Sequence, residues 1–355
     1  MRQNALEMVA LARHAMATRF EIVLYGKDPV ALRAAGEEAL NEIERLEAQL
    51  SLYKPTSEIA HLNRRAAKEP VQVEPGLFRL IQQAKQLWEQ TGGAFDITIA
   101  PLMRCWGLMG DKGKVPARAN LESARAIVGM QHVQLDPAEY TVRFDVAGLA
   151  LDLGAIGKGY AIEQAAEILR SAGVTSALLH GGTSTVYALG ATPDTKAWKI
   201  AIQPPEQELA TVAMDKATPS SPLAVVELKD EALSVSAVWG KFFRVGKRIY
   251  SHIIDPRTGE PVSHAALAAV ILPSATETDA LSTALLVAGI SGHKSIVALR
   301  SGMRALVVEH GKHKGTYEIG KSGITVRSSK FQVPSSKKAP NPKPQPKKKS
   351  RTVCV

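Results

Sequence analysis

Amphipathic helical segments and hairpin-like strand segments alternate along this chain, and this order constrains its fold more than any other feature of the sequence. Apolar residues recur at the helical period from Leu32 to Leu50, directly after Asp28-Pro29, an N-cap residue followed by a helix-initiating proline. From Val133 to Phe144, apolar residues alternate around Asp136-Pro137, as is typical of a hairpin. Because hairpins occur among helices, the sequence predicts an α+β fold with mixed sheets and packed helices, not a doubly wound parallel sheet.

The remaining periodicities predict the other elements. Ser51 to Asn63 is predicted to break the first helix, and Gly181-Gly182 to interrupt a later strand. Further helices are predicted over 75–91, 160–172, 279–288 and 294–299, and strands over 20–25, 149–153, 176–189, 306–309 and 324–327, with short strands between 198 and 250. The sequence predicts one compact body over 1–327, with two lobes dividing near residue 150.

Charge is concentrated at the C-terminal end. The chain of 355 residues has a formal net charge of +10, but from Lys330 onward it contains seven Lys, one Arg and no acidic residue, which leaves about +2 for the rest. The Lys/Pro-rich segment 328–355 is predicted to be disordered, because its composition buries too little apolar surface. It could contact an anionic surface, either nucleic acid or acidic lipid. A solubilising tail is the favoured interpretation, so no nucleic acid is expected as a partner.

The two cysteines and the first residues place few constraints on function. Cys105 and Cys354 are far apart in the sequence and have no metal-type spacing, so no disulfide framework is predicted. The apolar patch between Met8 and Ala12 is too short for a secretory signal. A cytoplasmic protein is therefore expected from the sequence as written, or an exported or membrane-associated one if the start site is misplaced.

The segment from Ser251 to Pro261 carries several chemically able side chains in one turn. His252 is a candidate general base, because the unperturbed pKa of a histidine side chain suits proton transfer near neutrality, and Asp255, Arg257 and Thr258 follow it. Asp-Pro and Thr-Gly are also ordinary turn formers, so a purely structural turn is the alternative interpretation.

Two other motifs could bind anions or metal. The run from Asp152 to Gly159 follows an apolar segment and leads into a helix, where glycines, Lys158 and backbone amides could receive a phosphate, although its spacing matches neither the dinucleotide nor the Walker motif. Asp279 and Thr283 lie one helical turn apart, an arrangement that suits Mg²⁺. For the first motif, the structural alternative is a strand-to-helix turn capped by its Asp. For the second motif, it is a capping Asp with a surface Thr.

Taken together, seven ordered segments resemble the FAD:protein FMN transferase family, the ApbE-like flavin transferases, and extend the resemblance over nearly the whole body. The segments are Met16-Ala-Thr18, Leu52 to Glu58 with Leu62-Asn63, Gly93 to Thr98 with Pro101-Leu102 and Trp106-Gly107, Asp152 to Ala161, Gly181-Gly182, His252 to Gly259, and Asp279 to Thr283. The resemblance implies a two-lobed, T-fold-like architecture.

The resemblance also implies a reaction. FAD binds in a cleft, Mg²⁺ holds its pyrophosphate, and a Thr or Ser hydroxyl of an acceptor flavoprotein, expected to be a redox enzyme or electron-transport subunit, attacks the FMN phosphorus and releases AMP. His252 is the implied base, and the backbone carbonyl of Ala155 with Asp279 and Thr283 the implied Mg²⁺ ligands. The residues implied to contact FAD are Met16, Tyr53, Ala94, Phe95, Asp96, Asp152, Lys158 and Ile254.

Several positions depart from the family pattern. Ala17 and Ala155 stand where glycine is usual, and Ala237 follows Ser236 where Ser-Gly is common. Thr183 replaces a frequent Asp or Asn, and Ser282 a second acidic ligand of some members. Two alternatives use the same site: an FAD pyrophosphatase that yields FMN and AMP, and a flavin-binding protein without catalysis.

Overall fold

The structure is a computed structural model that describes residues 6–110, 112–205, 221–239, 242–246, 248–313, 316–326 and 353–354. Its strands are β1 (Glu7–Ala15), β2 (Thr18–Gly26), β3 (Val71–Gln72), β4 (Val133–Asp136), β5 (Thr141–Phe144), β6 (Ser176–Gly181), β7 (Thr185–Gly190), β8 (Trp198–Ile202), β9 (Ala224–Leu228), β10 (Glu231–Ala237), β11 (Phe242–Val245), β12 (Arg248–Ser251), β13 (Ala265–Leu272), β14 (Arg304–His310), β15 (Tyr317–Ser322) and β16 (Val353–Cys354). Its helices are α1 (Pro29–Leu50), α2 (Glu58–Arg65), α3 (Pro75–Gln90), α4 (Ala100–Cys105), α5 (Arg118–Ala126), α6 (Gly157–Ser171) and α7 (Ala275–Val297).

An eight-stranded sheet organises the molecule, with the order β1-β2-β6-β7-β10-β13-β14-β15. Every neighbouring pair in it is antiparallel. Small sheets are formed by β3-β5-β4, by β11-β12 and by β16-β8-β9. The expected α+β fold with mixed sheets and packed helices is confirmed.

The large sheet is covered on both faces. On β6, Ala177 and Leu179 belong to the main core with α1, α6 and α7, whereas Leu178 points to a second apolar cluster with β8 and β9. All eight residues of β13 are buried for the same reason. Two-sided burial holds α6 and α7, which carry the predicted site residues, firmly against the sheet.

Local capping explains where the predicted helices begin. The Asp28 carboxylate accepts hydrogen bonds from the amides of Val30 (2.9 Å) and Ala31 (3.1 Å), and Glu74 caps α3 in the same way. These contacts satisfy amides that have no partner within the helix. The predicted helices α1, α3 and α6 and the β4-β5 hairpin are confirmed, whereas the two helices predicted over 279–288 and 294–299 form the single helix α7, which is kinked at Gly289.

Two elements were not predicted, and two expectations about strands are wrong. Residues 7–15 form strand β1, and helix α2 begins within the predicted break, which does end α1 at Leu50. The segment 149–153 is buried but is not a strand, because the Asn63 side chain bonds both backbone groups of Leu151, at 2.8 and 3.0 Å, in place of a neighbouring strand. The closing strand is β15, and Val326 makes only an isolated bridge to Ala224.

Three whole-chain predictions are affected differently by this structure. The predicted disorder of the tail falls outside the described residues, apart from Val353–Cys354, which pair in parallel with β8. The two lobes dividing near residue 150 stay a prediction. Among the described helices, α7 alone is long and apolar enough to cross a membrane, but 56% of its apolar window is buried within the fold.

Candidate functional site

A buried carboxylate lies where α6 meets α7. Asp279 is only 5% exposed, and its Oδ2 accepts a hydrogen bond of 2.9 Å from the backbone amide of Gly159. A Cβ at Gly159 would lie 2.2 Å from the carbonyl oxygen of Ala275 and 2.7 Å from the Cβ of Asp279. Only glycine therefore allows the start of α6 to approach α7 closely enough for this bond.

One hydroxyl of the sheet contacts that carboxylate, and other hydroxyls of β10 and α7 form a connected group beside it. Thr185 Oγ1 lies 3.4 Å from Asp279 Oδ1 and accepts a hydrogen bond of 3.2 Å from Ser234. Ser236 Oγ lies 2.8 Å from the hydroxyl oxygen of Ser282 and 3.1 Å from that of Thr283. The Thr283 hydroxyl also lies 3.4 Å from the backbone carbonyl oxygen of Asp279, and a metal site shared by the two side chains stays a prediction.

The chemistry of this cluster fits a hard cation. Within the described part of the chain, Asp279 forms no salt bridge with Lys, Arg or His, although a buried carboxylate is costly without a compensating charge. Carboxylate and hydroxyl oxygens are ligands that Mg²⁺ accepts. No cluster of three or more His, Cys, Asp or Glu that could hold a metal occurs among the described residues, so any ion here would depend on one carboxylate and neutral oxygens.

The turn before α6 is built by hydrogen bonds within Asp152 to Gly159. Asp152 Oδ1 accepts from the Gly154 amide at 2.8 Å, and Lys158 Nζ donates to the Gly154 carbonyl at 3.3 Å. Ala155 is half-buried in this turn, four residues before the amide that contacts Asp279. The turn therefore brings Asp152, Ala155 and Lys158 to the α6 end of the Asp279 cluster.

The Ala94 to Thr98 loop is tied to the same turn. The Ile97 carbonyl accepts a 2.7 Å bond from the Asp152 amide, while the side chains of Ala94 and Phe95 are buried. Asp96 Oδ1 accepts from both the amide (2.7 Å) and the hydroxyl (2.6 Å) of Thr98. Burial raises the pKa of the Asp96 carboxyl to about 6, opposed by hydrogen bonds from Thr98 and Trp88 that lower it.

The loop that follows β12 is rigidly closed. Val262 donates to the Ile253 carbonyl at 2.8 Å, and the guanidinium of Arg257 contacts both carboxylate oxygens of Asp255 at 2.8 Å. His252 is half-buried at the entrance of this loop. Asp255 and Arg257 therefore neutralise each other and shape the loop that carries His252.

Ile254 anchors this loop to the body. It is 4% exposed and packs in an apolar cluster with Leu102 and Trp106, whose indole donates a 2.8 Å bond to the Gly259 carbonyl. On the far side of the loop, the nearest atoms to a Cβ built on Gly93 include Cγ of Arg257, at 3.6 Å. The 93–98 and 252–259 segments are thus neighbours.

The two remaining predicted residues lie at turns. Tyr53 is 64% exposed, and its pKa is raised by partial burial and by the negative charge of Asp152, which places the phenol near the Asp152 turn. Met16 has a φ of +49° in the two-residue turn between β1 and β2 and packs against the main core. The contacts described above link the Asp152 turn with Tyr53, the 94–98 loop and Asp279, but do not include Met16.

The sequence did not single out Thr185, Ser234 or Ser236 as site residues, and it placed Gly159 in a possible phosphate-binding motif but not against Asp279. Ser234 and Ser236 are two residues apart on β10, so they point to the same face of the sheet, towards α7. Hydroxyl residues at alternate positions of an otherwise apolar strand were the available signal. These hydroxyl residues can be recognised as part of a site only once the fold shows that Asp279 lies opposite them.

Known proteins resemble this chain in both fold and sequence. A family model described as ApbE family matches residues 16–307. An FAD:protein FMN transferase of Klebsiella pneumoniae is 29% identical over 306 residues, covering 84% of this chain and 83% of the relative, and one of Treponema pallidum is 30% identical over 308 residues, covering 82% of each. The crystal structure of the ApbE protein from Thermotoga maritima, 27% identical, superposes with a TM-score of 0.78 over 89% of this chain and 97% of that one.

Proposed function

The chain belongs to the ApbE family of flavin-transferring enzymes, and we propose that it moves the FMN moiety of FAD to a Thr or Ser hydroxyl of an acceptor protein with the help of Mg²⁺. The predicted family and enzyme class are confirmed by this membership. FAD as the substrate and a protein as the acceptor agree with the names of the relatives.

The proposed reaction exchanges the phosphoanhydride linkage of FAD for a phosphoester linkage to the acceptor. The acceptor oxygen forms a bond to the FMN phosphorus, the bond from that phosphorus to the bridging oxygen breaks, and AMP leaves with that oxygen. His252 is the proposed base that takes the hydroxyl proton, because it is half-buried on a loop fixed by hydrogen bonds at both ends. Such a transfer needs positioning and charge neutralisation more than covalent participation by the enzyme.

One observation carries the proposal most directly: the buried Asp279 carboxylate, which lies 3.4 Å from the Thr185 hydroxyl oxygen, has no salt-bridge partner among the described residues. Asp279, Thr283 and the Ala155 carbonyl would hold Mg²⁺, which when bound would neutralise charge on the pyrophosphate. The Gly159 amide fixes the orientation of the carboxylate.

Hydrogen bonds and packing link most of the proposed FAD contacts to this point, but not Met16. The hydrogen bond from the Asp152 amide to the Ile97 carbonyl joins the Asp152 turn to the 94–98 loop. The proximity of Gly93 to Arg257 joins that loop to the loop that carries His252. Lys158 adds a cation at the first turn of α6, where phosphate oxygens are favoured. The proposed contact residues are Met16, Tyr53, Ala94, Phe95, Asp96, Asp152, Lys158 and Ile254.

Asp279→Asn tests the proposal with little disturbance of the fold, because an amide oxygen can still accept the Gly159 N–H. We expect Mg²⁺-dependent transfer, followed as AMP release together with the acceptor's mass, to fall at least about 100-fold. Calorimetric titration of Mg²⁺ into the FAD complex should show the corresponding loss of affinity. Glu277→Gln is the matched control, because Glu277 lies on the same helix but pairs with Arg300. It should keep both the rate of flavin transfer and the affinity for Mg²⁺.

The same assay separates the alternative functions. AMP with FMN on the acceptor supports the transferase, whereas AMP with free FMN identifies a pyrophosphatase. FAD that stays intact in the presence of Mg²⁺ identifies binding without catalysis. Full Mg²⁺-dependent transfer by Asp279→Asn would rule out the proposed metal ligand.

A further inference from the structure

A basic surface with exposed apolar residues lies beside the His252 loop and has no part in the site described above. The β11-β12 hairpin exposes Arg244 and Arg248, and the loop after α4 exposes Lys112 and Lys114. Together with the exposed Arg104, these five residues form what we call the basic face. By sequence, residues 104–114 hold three cations and one acidic residue, and residues 240–251 hold four cations and none.

Aromatic packing joins the two halves of the basic face. The rings of Phe243 and Tyr250 stack with centroids 5.1 Å apart, and the Trp106 ring lies 5.5 Å from Tyr250. The nearest atoms to a Cβ built on Gly113 belong to Phe243, at 2.2 Å, so the loop backbone lies directly on the hairpin. The relative positions of these cations are therefore fixed by a packed base.

The charges on this face are not neutralised within the described residues. Arg104, Lys112 and Lys114 line an open cavity of about 560 Å³ with Gly107, Met109 and Gly110, and among the residues that the structure describes no acidic one contributes to this lining. None of the five cations forms a salt bridge with a carboxylate in the described part of the chain. Phe242 and Ile249 remain 40% and 43% exposed on the hairpin.

The basic face continues directly into the loop of the proposed base. β12 ends at Ser251, one residue before His252, and Trp106 bonds the carbonyl of Gly259 at the other end of that loop. A protein that presents its hydroxyl to His252 must cover the neighbouring surface. The basic face is the part of that surface whose side chains indicate the chemistry of the partner that would bind there.

We propose that the basic face docks an acidic segment of the acceptor protein next to the hydroxyl that receives FMN. This inference rests on the proposed transfer reaction and adds the chemistry by which the partner is recognised. Cations that form no salt bridge among the described residues favour carboxylates, and the exposed Phe242 and Ile249 offer apolar contact beside them. Electrostatic attraction of this kind accelerates association and fixes the orientation of the partner.

Charge reversal at two exposed lysines tests the proposal by binding alone. The probe is a fluorescein-labelled peptide with three Asp residues before one Thr, and its twin carries Asn in place of each Asp. For Lys112→Glu/Lys114→Glu we expect the dissociation constant of the Asp peptide to rise about tenfold or more, with FAD affinity unchanged within about twofold. The Asn twin should bind weakly to every variant.

Lys229→Glu/Lys321→Glu is the matched control, because these exposed lysines lie after β9 and on β15 and change the net charge equally. It should bind the Asp peptide as the unmodified protein does. Equal effects in both double variants would mean that net charge alone explains the attraction, and this would overturn the proposal. Weaker FAD binding by Lys112→Glu/Lys114→Glu would assign the face to the nucleotide and also overturn it. Both titrations need no turnover, so they remain decisive if flavin transfer itself is not observed.

Discussion

At the scale of single residues, the turn between β1 and β2 carries a strained alanine. Met16 and Ala17 have φ values of +49° and +59°, and Ala15 pairs with Thr18, so these two residues form the whole hairpin connection. Hairpins of this kind favour Asn-Gly, because glycine has no Cβ to oppose a positive φ. Ala17 therefore destabilises a turn next to a proposed FAD contact.

Ala17→Gly should raise the free energy of unfolding by about 1 kcal/mol, because it removes this strain. Urea denaturation measures the change. Ala12→Gly in strand β1 is the control: Ala12 is also exposed but has extended backbone, so glycine there should lower stability by roughly 0.5 to 1 kcal/mol. A decrease in stability for Ala17→Gly would contradict the strain argument.

Asp96 gives the molecule a dependence on pH at the same scale. Burial raises its pKa in the folded protein to about 6, whereas an unfolded Asp titrates near 3.9. Since the folded pKa is the higher one, the ionised carboxylate destabilises the fold; this cost is absent below about pH 4 and complete above about pH 6. Stability should therefore fall through this window as pH rises.

Asp96→Asn removes that titration and keeps an oxygen that can accept the hydrogen bonds of Thr98. Relative to the unmodified protein, we expect no gain below about pH 4 and a gain on the order of 2 to 3 kcal/mol above about pH 6. Urea denaturation at intervals from pH 4 to 7 measures this difference. A gain that is constant with pH, or that shrinks as pH rises, would contradict the assignment.

At the scale of elements, residues near one another in sequence were predictable, whereas elements defined by distant partners were not. The starts of α1 and α3 follow from Asp28 and Glu74, which cap amides only two or three residues away. In contrast, the segment 149–153 has the composition of a strand but is held by Asn63, almost ninety positions earlier, a partner that no local pattern reveals. Asp279 and Thr283 were found as a pair for the same local reason, but the hydroxyls opposite them were not.

The close approach of α6 to α7 supports a prediction with an internal control. Gly159→Ala would place its Cβ 2.2 Å from the Ala275 carbonyl oxygen and force the helices apart, whereas the nearest contact of an added Cβ at Gly157 is 3.8 Å. We expect Gly159→Ala to lower stability by about 1 to 3 kcal/mol and to weaken Mg²⁺ binding, since the amide of residue 159 orients Asp279. Gly157→Ala should be neutral or stabilising by up to about 1 kcal/mol. Thermal unfolding and Mg²⁺ titration measure both variants, and similar behaviour of the two would refute the packing argument.

At the scale of the whole molecule, the eight-stranded sheet and the basic tail are separate features. Every strand of that sheet lies before residue 323, every proposed site residue lies at or before Thr283, and the family match ends at residue 307. Residues from Lys330 onward supply eight of the ten net positive charges. Flavin transfer should thus depend on the body, residues 1–327. Any general attraction to polyanions should depend on the tail, residues 328–355. The expected cytoplasmic location stays a prediction.

Ending the chain after Arg327 separates these contributions. The truncation removes β16, whose two residues pair only with β8 of a small sheet, so the melting temperature should change by no more than a few degrees. FAD affinity and the rate of flavin transfer should stay within about twofold of the full chain, because the charges of the basic face are retained. Binding to duplex DNA, measured by fluorescence anisotropy over a range of salt concentrations, should weaken strongly, since eight cations that could contact phosphates are lost. A tenfold loss of transfer with folding intact would instead assign the tail to acceptor recognition, and the basic face would then not be sufficient to dock the partner.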